Sequence, residues 1–192
     1  VFNRLKDPQG GKAVGIKAKR RGMVHVYTGD GKGKTTAALG LALRVIGHGG
    51  KVFMLQFMKG SKNYGEIKAA EKYLPDLTIV QSGQESFVSK EEPAEIDIRL
   101  ALEGLALAKK VVAENYYDLV ILDEINVALD FKLVPLKDVL ELIKNKPEEM
   151  ELVLTGRYAP REIIEMGDVV SNVTLVNHPY YHGVEARQGI EF

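Results

Sequence analysis

Apolar and polar positions along the chain fall into two alternating periods. Short, nearly continuous apolar runs lie over 23–28, 51–57, 77–81, 118–122, 151–155 and 169–176, the pattern of strands buried on both faces. Between them lie stretches with helical spacing. Over 34–46 the apolar positions Ala38, Leu41, Ala42 and Val45 share one face, and Gly47, Gly49 and Gly50 mark its end. Residues 94–115 form a second, longer helix with Leu105, Ala108 and Val112 in register, and shorter helices are predicted over 65–73, 135–144 and 160–166. Strands alternating with helices predict an α/β fold, a parallel sheet flanked by helices on both faces. The tail after 178 reads as irregular.

The first 22 residues stand apart. They have little periodicity, four glycines, and Arg4, Lys6, Lys12, Lys17, Lys19, Arg20 and Arg21 against the single acid Asp7. They read as a basic N-terminal arm (1–22) preceding one domain (23–192), either solvated or able to close over an anionic ligand.

Composition narrows the function classes. The 192 residues carry 26 basic and 26 acidic side chains, a formal net charge of zero, which argues against extended nucleic-acid binding. There is no cysteine, so disulfides, thiolate metal sites and a cysteine nucleophile are excluded, and any electrons must come from outside the chain. No apolar run approaches the roughly 20 residues of a membrane helix, and no start resembles a signal peptide. The expectation is a soluble, cytoplasmic protein with no membrane partner.

The strongest chemical signal lies where the first strand meets the first helix. Gly29, Asp30, Gly31, Lys32 and Gly33 form a glycine-rich turn, and Lys34, Thr35 and Thr36 open the helix. Such a turn lets successive backbone N–H groups converge on an anion at a helix N-terminus, with Lys34 as a mobile cation and Thr35 as a hydroxyl for Mg²⁺. The usual first glycine of a phosphate loop would fall at Thr28; here it comes one place later. The run Leu119-Val120-Ile121-Leu122 ends in Asp123 and Glu124, the form of a Walker B segment, and either acid could serve the metal.

Weaker candidates cluster at other predicted strand ends. Arg157, in Thr155-Gly156-Arg157, can present its donor fork to phosphates. Lys59 follows the second strand, and Arg44 lies on the helix after the turn. Phe87 sits in a polar loop, where a flat cofactor could contact it. His25 reads as structural. His178 and His182 have a spacing compatible with metal ligation, but no third ligand is apparent. The residues alone leave a nucleotide-dependent transferase, a small-molecule kinase and a nucleotide-gated binding module open. A kinase would need an acceptor base and a lid of arginines, and neither is evident.

Taken together these segments resemble the homodimeric P-loop type of cob(I)alamin (corrinoid) adenosyltransferase. The marks are the loop over 28–38, Gly47-His48-Gly49, Gln56-Phe57-Met58-Lys59-Gly60, Leu122-Asp123-Glu124, Thr155-Gly156-Arg157 and the closing stretch over 183–190. The resemblance implies a P-loop NTPase-like (RecA-like) fold. It also implies transfer of the 5′-deoxyadenosyl group of ATP to Co(I) of a corrinoid, with triphosphate released. Lys34 and Arg157 are then the expected catalytic residues. Substrate contacts are expected from 29–36, Arg44, Lys59 and Phe87, and Mg²⁺ at Thr35, Asp123 and Glu124. Also implied are a homodimer, an arm that covers an active site across it, and an external flavoprotein reductant. Relatives use aromatic side chains to displace the lower axial cobalt ligand; over 82–93 this chain has one aromatic, Phe87.

Overall fold

A computed structural model of the chain describes residues 21–192. The basic arm expected over 1–22 lies outside the described residues except for Arg21 and Gly22. Six strands form one sheet: β1 (Val24–Thr28), β2 (Val52–Phe57), β3 (Leu77–Ser82), β4 (Leu119–Asp123), β5 (Glu151–Thr155) and β6 (Val169–Asn172). Their order across the sheet is β3-β2-β4-β5-β1-β6, and every neighbouring pair is parallel.

Three adjacent interior strands, β2, β4 and β5, are buried at every position. Alternation of side chains across a strand divides them between two cores. Phe53, Leu55 and Phe57 face one core with Leu122 and Leu154; Val52 and Met54 face the other with Ile121 and Val153. The first core is closed by helices α3 (Glu95–Glu114), α4 (Ile125–Asp130), α5 (Leu136–Lys144) and α6 (Arg161–Met166). The second is closed by α1 (Lys34–Gly47), through Ala38, Ala42 and Val45, and by α2 (Gly65–Tyr73), through Ala70. Truncating a fully buried core residue such as Leu55 to Ala costs about 2–5 kcal/mol at sites of this kind. No helix among the described residues is long and apolar enough to cross a membrane.

Two elements differ from the sequence reading. Helix α4 was not predicted: six residues are too few to display a helical period, and it starts abruptly at Glu124, whose φ of 61° turns the chain out of β4. The last strand ends at Asn172, not 176. Its partner β1 becomes the glycine-rich turn at Gly29, so there is no strand left to pair with. Instead the N–H of Val173 donates to the Thr28 carbonyl at 2.8 Å, and the N–H of Gly31 donates to the Val173 carbonyl at 2.7 Å. The chain after β6 thus crosses the turn. A Cβ at Gly31 would stand 2.6 Å from the Thr174 carbonyl oxygen, so this approach requires glycine.

Candidate active site

The carboxyl ends of β1, β2, β4 and β5 converge on one edge of the sheet, the place where ligands bind in open parallel sheets. The turn over 29–33 joins β1 to α1 there. Gly33, with φ 117°, aims the chain into the helix so that Lys34 is its first residue. Lys34 is only 7% exposed. Its Nζ donates to the carbonyls of Gly29 at 2.7 Å and Gly31 at 2.6 Å, so the turn wraps around the ammonium. Burial lowers its pKa, with Glu124 the chief opposing charge.

Asp123, at the end of β4, is fully buried and fully engaged. Its Oδ1 accepts from the hydroxyls of Thr35 at 2.8 Å and Thr155 at 2.7 Å. Its Oδ2 accepts from Lys59 Nζ at 2.8 Å and, at 3.4 Å, from Gln56 Nε2. Parallel register supplies this cluster: Gln56 is paired with Asp123 on one side and with Gln81 on the other. Gln81 Nε2 donates to Gln56 Oε1 at 3.2 Å, and Gln56 Nε2 donates to Glu66 Oε1 at 3.0 Å. Lys59 would lose protons more easily from burial alone, but Asp123, through charge and hydrogen bond, outweighs this and raises its pKa.

Glu124 is the contrasting acid. Its N–H donates to Thr155 Oγ1 at 3.0 Å, while its carboxylate has no hydrogen-bond partner among the described residues. Burial, and then the neighbouring charge of Asp123, raise its pKa. The side chain lines two adjoining clefts. One, of about 380 Å³, holds Lys32, Lys34, Thr35 and Arg157 on its walls. The other, of about 450 Å³, shares Thr35, Thr36 and Glu124 with the first and adds Lys59, Tyr64, Glu66 and residues 189–192.

Most of the candidates from the sequence therefore meet. Gly29 and Gly31 hold Lys34; Lys32, Gly33, Lys34, Thr35, Thr36, Glu124 and Arg157 surround one cleft. Asp30 is exposed at the turn, close enough to raise the proton affinity of Lys34 by its charge. Phe87 is fully exposed and borders a third cleft, of about 190 Å³, with Phe131 and Tyr64, which Lys59 joins to the second. Arg44 is apart: it is exposed in the last turn of α1, ten residues or about 15 Å along the axis from Lys34, and lines none of the three clefts. His25 pairs with Glu151 at 3.1 Å, at the other end of the strands. His178 Nδ1 accepts from the N–H of Tyr180, and His182 meets Asn177 Oδ1 at 3.0 Å. No group of three or more His, Cys, Asp or Glu that could hold a metal by itself occurs among the described residues.

The sequence reading gave no site role to Gln56, Gln81, Glu66 or Thr155. For Gln56, Gln81 and Thr155 the available signal is a polar side chain near the end of an otherwise apolar run, which in a buried strand must find partners; Glu66, in the first turn of α2, carries no such signal.

A family model described as ATP:corrinoid adenosyltransferase BtuR/CobO/CobP matches residues 20–192. A Sinorhizobium protein named corrinoid adenosyltransferase is 35% identical over 182 residues, 94% of this chain and 85% of that protein. The corrinoid adenosyltransferase of Escherichia coli K12 is 36% identical over 172 residues, covering 90% and 86%. Corrinoid adenosyltransferase CobA of Salmonella typhimurium is 33% identical over 174 residues, covering 91% and 87%.

Proposed function

The chain belongs to the ATP:corrinoid adenosyltransferase family, and from that premise we propose how its own residues carry out the transfer. The enzyme is a transferase that moves the 5′-deoxyadenosyl group of ATP onto corrinoid cobalt. Co(I) supplies the electron pair, a cobalt–carbon bond forms, the C5′–O bond breaks, and triphosphate leaves with that bonding pair. No proton has to move at the reacting carbon, so the protein's task is to hold the reactants in line and stabilise the leaving group.

The observation that carries the assignment of roles is the convergence of Lys34, Arg157 and the turn over 31–33 on one cleft. The turn's N–H groups and the start of α1 grip the polyphosphate. Lys34 exchanges the carbonyls of Gly29 and Gly31 for phosphate oxygens, and Arg157 adds a second cation where charge grows on the leaving group. Arg44 has no part in this set as one copy of the chain presents it.

The donor set fits Mg²⁺ with a specific division of labour. Thr35 and Glu124 face the cleft, and the Glu124 carboxylate is unpartnered. Asp123 already accepts four hydrogen bonds and serves to orient Thr35 and Lys59. Glu124 and Thr35 would hold the ion, which when bound adds positive charge beside the triphosphate oxygens. Phe87 is the proposed contact for the flat corrinoid, a reading supported by its full exposure beside the small third cleft. With no cysteine in the chain, the reducing electrons come from a partner, for which a reduced flavoprotein is the proposed class, and a homodimer is the proposed assembly.

The test is direct. Protein, Mg-ATP, a corrinoid and a strong chemical reductant should give inorganic triphosphate and a light-sensitive cobalt–carbon product. ADP as the sole nucleotide product would refute the reading.

A further inference from the structure

The C-terminal residues 187–192 form a closed turn over the site. The N–H groups of Ile190 and Glu191 donate to the Arg187 carbonyl at 3.2 and 2.9 Å, and the N–H of Gly189 donates to the Phe192 carbonyl at 2.8 Å. The Glu191 carboxylate is folded inward. It accepts from the Arg187 N–H at 2.7 Å and from the Arg187 guanidinium at 3.1 and 3.2 Å. Its Oε1 also accepts from Lys32 Nζ at 2.6 Å. Lys32 belongs to the phosphate-binding turn, so one ion pair ties the end of the chain to the loop that grips the polyphosphate.

This tie shapes the 450 Å³ cleft. Residues 189–192 form one wall; Thr36 and Leu39 of α1 and Tyr64 and Glu66 at the start of α2 form the others. The cleft adjoins the phosphate-facing one through Thr35, Thr36 and Glu124. Whatever is attached to a triphosphate held by the turn must lie in a neighbouring space. The size falls in the range of small-ligand sites and is too small for a corrin macrocycle. Leu39, Tyr64 and Ile190 offer apolar surface for a base, and the Glu66 carboxylate, oriented by Gln56, offers acceptors for sugar hydroxyls.

We propose that the turn over 187–192 is the outer wall of the pocket for the adenosine half of ATP, and that Glu191 is the positioning residue that holds this wall in place through Lys32. The proposal rests on the adenosyltransferase reading above. It assigns the Lys32 ammonium to the C-terminal turn, leaving Lys34 and Arg157 as the cations for phosphate.

The full chain and its Glu191→Ala, Glu191→Asp and Ile190→Ser variants would be compared for kcat, for KM of ATP and for competitive inhibition by inorganic triphosphate. The expected result is a KM for ATP raised about tenfold in Glu191→Ala, with kcat within about twofold and triphosphate inhibition unchanged. Glu191→Asp should recover part of the loss, and Ile190→Ser should also weaken ATP selectively. An unchanged KM in Glu191→Ala overturns the proposal. So does equal weakening of ATP and triphosphate, which would put Glu191 in phosphate binding, or tighter binding of both, which would make it an internal competitor. ADP as the sole nucleotide product of the wild type would instead refute the adenosyltransferase reading, and this proposal with it.

Discussion

Lys59 Nζ lies 2.8 Å from Asp123 Oδ2, and this ion pair anchors a fully buried carboxylate at the end of β4. Removing the cation leaves a buried charge uncompensated. Lys59→Met is expected to destabilise the protein by about 3 kcal/mol in urea unfolding, and Asp123→Asn in the same background should restore much of it. Additive losses would mean that the two side chains are not energetically coupled.

Lys34→Ala removes the ammonium that the proposed mechanism sets against the leaving group. Turnover should fall by roughly a hundred- to a thousandfold, the scale seen for loss of a preorganised donor to developing negative charge. Steady-state assays at saturating ATP measure it, and near-normal turnover would take Lys34 out of the mechanism.

Glu124 and Asp123 should separate cleanly. Burial, then the charge of Asp123, raise the Glu124 pKa, so ionising this carboxyl costs the folded state more than the unfolded one. Glu124→Gln should therefore cost no stability at pH 7, yet reduce Mg²⁺-dependent activity on the order of a hundredfold. Asp123→Asn should lose stability as well as activity. A Mg²⁺ titration paired with urea unfolding of each variant distinguishes the two; equal Mg²⁺ response in Glu124→Gln and wild type would remove Glu124 as a ligand.

Phe87 is fully exposed, so its removal should leave stability within about 0.5 kcal/mol. A modest activity loss is expected in Phe87→Ala, largest when the corrinoid is supplied oxidised. Failure of pre-reduced Co(I) to rescue the variant would exclude a role for Phe87 in making reduction easier.

Glu191 has its carboxyl pKa lowered to about 2, first by its hydrogen bond from Arg187, then by that from Lys32. A depressed folded-state value means that this interaction is fully present above the ordinary value of 4.5 and is lost as pH falls through about 2. Side-chain NMR should show Glu191 still ionised at pH 4, and its midpoint should rise in Arg187→Ala. A midpoint near 4.5 in the wild type would show the turn to be open in solution.

Much of this was readable from pattern. Buried parallel strands such as 52–57 and 119–123 are apolar at nearly every position because both faces are covered, and the amphipathic spacing of 34–47 follows from covering one of them. Helix α4 was not, because a six-residue segment has no period to detect and its start depends on the left-handed backbone of Glu124. The candidate site was legible where chemistry is local in the chain, as in the turn over 29–36. It was hidden where residues meet only across strands, as do Gln81, Gln56 and Asp123. Arg44 shows the opposite case: ten residues from Lys34 in sequence, it is carried away from the clefts by the rise of the helix.

By itself, then, the order of residues determined the alternation of strands and helices, the glycine-rich turn at the start of α1 and the family. These depend on periods and on contiguous backbone, which a linear sequence contains directly. Tertiary structure alone decided the strand order, the engagement of Asp123 that leaves Glu124 free, and the placement of Glu191 against Lys32, 159 positions away. Those relationships depend on which strand ends become neighbours when the two faces of the sheet are buried, and distance along the chain carries no record of that.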